Sequence, residues 1–234
     1  MSVAKNILVT VGVLVSMSVA SAAYEKAKHE IGKRAHPTFQ MATLNKSDRE
    51  KLEKFEDIFN SLAKDLKYDE KAQLKIEKDL DPSMELLRKN CIAKNMELAD
   101  AKIISYSKAI DKTLEEYWDA YSKMIGAEVE KRGKGICRGF ADLLVNKGYE
   151  IGLEIFRLES DKHAANIYKA NGKWYVADLT TQITAPWFFK DKEYFYRMPL
   201  EYYLAYGQMA GKKKVMSVVV EGKRIPLDKF LETH

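Results

Sequence analysis

The stretch HAANIYKANGKWYVADLT, His163 to Thr180, decides the fold. Two β-rich runs, HAANIYKA and KWYVADLT, flank Asn171-Gly172, the dipeptide that best tolerates the positive φ angles of a two-residue type I′ turn. Such a loop fixes the register: Ala170 faces Lys173, and counting outward sets Ala165 opposite Asp178 and His163 opposite Thr180. His163 and Asp178 then share one face as diagonal neighbours, near enough for an imidazole to meet a carboxylate. Asn166 pairs with Ala177 on the opposite face. The choice rests on the loop, because one bulged residue would exchange the faces.

Working back along the chain, GKGICRGFADLLVNKG, Gly133 to Gly148, sets one cysteine between glycines at the mouth of a helix. If Phe140, Leu143 and Leu144 face the core, the helix starts near Cys137 and the thiol sits in its first turn. Unpaired backbone N–H groups and the positive dipole end favour a thiolate there, and the same N–H groups can donate to an oxyanion. Gly135 and Gly139 allow close backbone approach, and Lys134 and Arg138 add positive charge. A thiolate nucleophile needs a base. Beyond the N-terminal region the chain offers His163 and the terminal His234, and His163 heads a strand.

Further upstream, SDREKLEKFEDIFNSLAKDLKY from Ser47 carries Leu52, Phe55, Phe59, Leu62 and Leu66 at helical spacing, with Ser47 and Glu50 as a capping box. Asp81-Pro82 predicts a break, followed by a second helical stretch that splits near Ala99 to Lys102. Tyr106, Tyr117, Trp118 and Tyr121 recur at helical spacing and are expected in the core rather than in a substrate wall. After Gly148, YEIGLEIFRL alternates as a strand does, and the tail adds a short helix and a pair of strands around Glu221-Gly222. Helices, then a cysteine-bearing helix, then an antiparallel sheet make the α+β class.

Composition sets outer bounds. A chain of 234 residues, 46% hydrophobic, can bury a substantial core. Its net charge of +5 is spread over lysine- and glutamate-rich segments with no basic run interleaved with aromatics, which argues against nucleic acid as a partner. The N-terminus reads as an export signal: Lys5, an apolar run from Ile7 to Val19, then Ala20-Ser21-Ala22. Residues 1–23 are therefore expected to be a signal peptide, with an uncleaved membrane anchor over residues 7–23 as the alternative, and residues 24–46 a linker. Periplasmic or secreted placement would make a Cys91–Cys137 disulfide a rival account of Cys137.

The three elements GICRGFADLLVNKG, HAANIY and GKWYVADLTT, in this order between Gly133 and Thr181, resemble the core of the transglutaminase-like superfamily. The resemblance implies a papain-like core over residues 101–234, preceded by a helical region over 47–100, with Cys137 as nucleophile, His163 as base and Asp178 as orienting acid. The chain departs from the pattern at Ala165, where the family often has a large residue, and at Leu179, where it often has proline. Calcium-using bacterial relatives carry an acidic pair after the cysteine, where Arg138-Gly139 stands here, so no metal and no cofactor is implied. The implied chemistry is acyl transfer on amide bonds of a protein or peptide substrate through a thioester. Water is the default acceptor and cross-linking to an amine the alternative. A catalytically silent binding module using its N-terminal helices is the second reading. For the side-chain donor of an oxyanion hole, Gln73, Asn90, Asn95 and Tyr106 all stay open.

Overall fold

The computed structural model describes residues 44–188, 192–207, 209–211 and 215–234. The expected signal sequence over 1–23 lies outside the described residues, as does the expected linker up to residue 43. Among the described residues no helix is long and apolar enough to cross a membrane.

Helix α1, Lys46–Asp65, buries Leu52, Phe55 and Phe59 along one stripe. Its cap differs from expectation. Asn45 holds the N-cap, accepting from the Asp48 backbone N–H at 2.8 Å, while its own amide donates to the Asp48 carboxylate at 2.8 Å. The reciprocal pair therefore forms two residues before the expected Ser47–Glu50 box.

Strand β1, Lys67–Tyr68, leads into α2, Glu70–Asp100, which runs through Pro82 where a break was expected. A proline inside a helix forfeits one backbone bond and costs roughly 3 kcal/mol. Ile76, Met84, Cys91, Asn95 and Ala99 are buried on both sides of Pro82, and this continuous packing holds the helix together. The chain turns at residues 101–105 and returns as α3, Tyr106–Arg132, close to the expected split. Gly133 closes α3 at φ 64°, a left-handed conformation suited to glycine.

Strand β2, Lys134–Gly135, pairs in parallel with β1 and delivers the chain to α4, Cys137–Glu150. Phe140, Leu143 and Leu144 of α4 are fully buried, as their spacing requires. The helix continues through Tyr149–Glu150, so the strand expected from Tyr149 begins only at β3, Ile155–Glu159. The hairpin follows as β4, Ala164–Ala170, and β5, Lys173–Ala177. Asn171 and Gly172 both have positive φ, 49° and 72°, and the register pairs Ala170 with Lys173 and Asn166 with Ala177, as the sequence dictates.

A short helix α5, Leu179–Thr184, a 3₁₀ turn over Lys192–Phe195, strand β6, Met198–Pro199, and α6, Leu200–Tyr206, come next. Strands β7, Ser217–Val220, and β8, Lys223–Pro226, form the terminal hairpin, and α7, Leu227–Thr233, is an addition the sequence reading did not anticipate. Strands β3 to β8 make one antiparallel six-stranded sheet in the order β6-β5-β4-β3-β7-β8, apart from the parallel β1–β2 pair. The chain is thus α+β, a set of helices and an antiparallel sheet.

One hydrophobic core joins Phe55 and Phe59 of α1, Ile125 and Val129 of α3, Phe140 and Leu144 of α4, and Tyr168 of the sheet. The turn at Gly222 packs onto α3 so closely that no side chain fits between it and the Glu115 carbonyl, and Lys223 pairs with Glu115 at 3.3 Å. This contact ties the α2–α3 hairpin to the sheet.

Candidate active site

Cys137 is the first residue of α4. The N-cap, Ile136, is extended and contributes no side-chain cap, and the first helical bond runs from the Phe140 N–H to the Ile136 carbonyl at 2.9 Å. The N–H groups of Cys137, Arg138 and Gly139 therefore have no partner within the helix and concentrate its positive end around the thiol. Gly139 is sterically required: a Cβ there would lie 2.8 Å from both Gln73 Oε1 and Val129 Cγ2.

The hairpin brings the other two residues. His163 immediately precedes β4, its backbone N–H donating to Ser160 Oγ at 3.2 Å and its carbonyl accepting from the Ser160 N–H at 2.9 Å. Asp178 immediately follows β5 and caps α5, its Oδ1 accepting from the Thr181 N–H at 2.9 Å. His163 Nε2 lies 2.9 Å from Asp178 Oδ2, so the diagonal pair required by the register forms. This leaves Nδ1 for Cys137, whose side chain hydrogen-bonds with the imidazole. Asn166 lies on the other face, its amide donating to the Ala141 carbonyl of α4 at 2.9 Å, and clamps helix to sheet.

Charge follows geometry. Burial acts to raise the Cys137 thiol pKa, but hydrogen bonding and charge from His163, with the backbone N–H groups of Ala164 and Arg138, carry it below the ordinary thiol value. Burial likewise opposes charge on His163, yet Asp178 and Cys137 push its pKa up to about 10. Asp178 is held below the usual carboxylate range, against its own burial, by His163, the Tyr203 hydroxyl and the Thr181 N–H. The same contacts lower the thiol and raise the imidazole, so the arrangement favours a thiolate–imidazolium pair backed by a carboxylate.

Beside Cys137 and His163 opens a cleft of about 480 Å³, lined also by Arg138, Glu159, Lys162 and Arg224. Glu159 is engaged from two sides, by Arg157 at 2.8 Å and Arg224 at 2.9 Å. Beneath it Arg157 also contacts the buried Asp142 and donates to Ser122 Oγ at 2.9 Å. Burial pushes the Asp142 carboxyl up to about 6, against the pull of Arg157 and Arg138.

Of the four candidates for an oxyanion donor, only Gln73 stands beside the Cys137 turn. It is buried with its Oε1, an acceptor, against Gly139, while its Nε2 donates to Glu77 at 3.0 Å, so as placed it offers that turn no donor. Asn95 is buried elsewhere, bonded to the Cys91 carbonyl at 3.1 Å and Glu116 at 3.1 Å. Tyr106 is exposed and donates to Asp100, and Asn90 is exposed. Cys91 and Cys137 are both free, so no disulfide joins them. Burial raises the Cys91 thiol pKa, the opposite of Cys137.

Two neighbours of the site were missed. Tyr203 on α6 donates to Asp178 Oδ2 at 2.6 Å, sharing that oxygen with His163. Tyr68 on β1 pairs with Gly135, and its phenol pKa is raised by burial and by the charge of Cys137. No local pattern marks either tyrosine. The Asp178–Tyr203 contact spans 25 residues, and Tyr68 is brought in by a parallel pairing across residues 67–135. The aromatics of α3 depart from the expected core placement: Trp118 and Tyr106 are exposed, and Tyr117 and Tyr121 are only half-buried. Among the described residues no group of His, Cys, Asp and Glu is arranged to hold a metal ion.

Comparison with protein-family models, curated proteins and solved structures found no significant match for this chain.

Proposed function

We propose that the protein is a thiol-dependent acyl-transfer enzyme that hydrolyses amide bonds of proteins or peptides, a peptidase or amidase with the triad logic of the transglutaminase-like superfamily. The observation that carries this reading is the convergence of Cys137, His163 and Asp178 at an uncapped helix N-terminus on an open cleft. In the first half-reaction the Cys137 thiolate attacks the amide carbonyl. The developing oxyanion is met by first-turn N–H groups, the C–N bond breaks, and His163 hands its proton to the leaving amine. Water then attacks the thioester, His163 takes its proton, and the acid leaves as the thiolate is restored. An amine in place of water would give cross-linking by the same steps. Asp178 keeps the imidazole oriented throughout and stabilises its charged form each time it holds the proton.

The test is selective alkylation. Iodoacetamide at about pH 6 should label Cys137 and spare Cys91, since a thiolate at Cys137 persists below the unperturbed value of ~8.5. His163→Ala should suppress that labelling while a melting curve shows the fold intact. Labelling of Cys137 that begins only at alkaline pH and ignores His163→Ala would overturn the reading.

A further inference from the structure

Between α2 and α3 lies a second concavity, about 410 Å³, lined by Ile92, Met96, Ile110, Leu114, Tyr117 and Trp118, with almost no polar surface. Its apolar side chains face outward: Ile110 is 57% exposed, Leu114 51%, Ile92 41% and Trp118 41%. Arg88 at its edge makes two 3.1 Å bonds to Glu85, and the Thr113 hydroxyl donates to the Ala109 carbonyl at 2.8 Å, so both are already engaged.

The groove and the cleft share no lining residue, but one side-chain contact bridges them. The Arg138 guanidinium, next in sequence to Cys137, sits 5.8 Å from the Trp118 ring centroid and 5.6 Å from that of Tyr121. Trp118 in turn packs on Tyr117 at 5.2 Å and Tyr121 at 5.6 Å. Two residues of this cluster, Tyr117 and Trp118, line the groove, and the cation resting on Trp118 lines the cleft. From Ile110 to Trp118 the helix rises roughly 12 Å at about 1.5 Å per residue, a span that about four residues of extended peptide cover.

We infer that this groove is a substrate subsite: it holds an apolar segment of an extended polypeptide whose scissile amide lies at Cys137. The inference rests on the acyl-transfer reading and narrows it, from amides in general to polypeptides carrying several consecutive apolar residues a few positions from the cleaved bond. A small amide would leave this surface bare. A polypeptide crossing Arg138 and Trp118 covers it.

The test uses the full chain and the tetrapeptide Leu-Leu-Phe-Leu, bearing a chloroacetyl group at its N-terminus or on an added C-terminal lysine, with chloroacetamide as the small control. At least one peptide probe should label Cys137 faster than chloroacetamide by ~10–100-fold, the discrimination that filling an apolar pocket provides. Leu114→Glu or Ile110→Glu should erase that advantage and leave the chloroacetamide rate unchanged. The same tetrapeptide carrying a fluorophore should bind wild type and not Leu114→Glu by anisotropy, a measurement that needs no reaction at Cys137. An inert Cys137 with intact peptide binding would count against the chemistry and keep the groove. Failure of the peptide to bind overturns the subsite, as does an acceleration that survives Leu114→Glu. So does a dimer of the full chain that Leu114→Glu disperses while the probes show no preference, since the groove would then be the seat of a second copy.

Discussion

Asp178 and Asp142 are both buried aspartates, each touching a cation, yet the protein holds their charges in opposite senses. Burial opposes ionisation at both. Asp178 overcomes it with donors on both oxygens: the Thr181 N–H on Oδ1, and Tyr203 and His163 on Oδ2. Asp142 has Arg157 on Oδ1 and no hydrogen-bond partner on Oδ2, and Arg157 is shared with Glu159, whose charge opposes that of Asp142. Its carboxyl is accordingly raised to about 6, whereas that of Asp178 is lowered. A neighbouring cation does not suffice to keep a buried carboxylate charged; the number of donors that see only that carboxylate decides.

The largest way to break this comparison is to remove the charge that the site uses. Asp178→Asn keeps an oxygen for the Thr181 N–H but cannot hold an imidazolium, and by analogy with other triads it should slow acyl transfer by roughly 10²–10⁴-fold. Alkylation of Cys137 at pH 6 should fall with it. Asn166→Ala, which removes the clamp to Ala141, should lower the melting temperature and cost far less in rate. Equal rate losses from the two variants, both folded, would mean that the face assignment misidentifies the orienting group.

The site's core was legible because its geometry is local. Asn171-Gly172 fixes a two-residue turn, the turn fixes the register, and the register alone brings His163 to Asp178. The α+β order was legible from the change of period after α4. What escaped depends on contacts between distant segments. Tyr203 reaches Asp178 from a helix with no signature of its own, Pro82 is tolerated because packing on both sides outweighs the lost bond, and α3's aromatics look like core residues until the fold leaves Trp118 on the apolar groove between α2 and α3. Gln73 was one of four equivalent candidates until β1 and β2 paired and set its helix against Gly139.

A second break concerns Asp142. Its folded pKa of about 6 lies above the ordinary aspartate value of 3.8, so its protonated form favours folding; that contribution is full below about 4 and is lost as pH rises through 6. At about 1.4 kcal/mol per pKa unit the loss amounts to about 3 kcal/mol. Asp142→Asn mimics the neutral acid. Its stability relative to wild type should therefore climb between pH 4 and pH 7 in thermal or urea melts, with the pH 6 alkylation of Cys137 little changed. A stability difference that stays constant over this range would show that Asp142 is ionised throughout, like Asp178.

The smallest expected effect sharpens the comparison most, because it subtracts one donor from Asp178. Tyr203→Phe removes the hydroxyl that sits 2.6 Å from Oδ2 and leaves the buried ring. Hydrogen bonds to charged groups contribute roughly 1.5–3 kcal/mol, about twice a neutral one. Asp178 is depressed, so its stabilising interactions are present above the ordinary carboxylate pKa and are lost as pH falls through its folded value. The Tyr203→Phe deficit should accordingly hold at about 2 kcal/mol from neutral pH down to the ordinary carboxylate range and shrink only at lower pH, as Asp178 itself takes up a proton. Across pH 4–7 this deficit stays level, while Asp142→Asn gains stability relative to wild type. Parallel melts of the two over that range give one flat and one rising difference if the donors set the charge of each aspartate. A pH-dependent difference for both would mean that burial depth governs both, and the contrast drawn between them would fall.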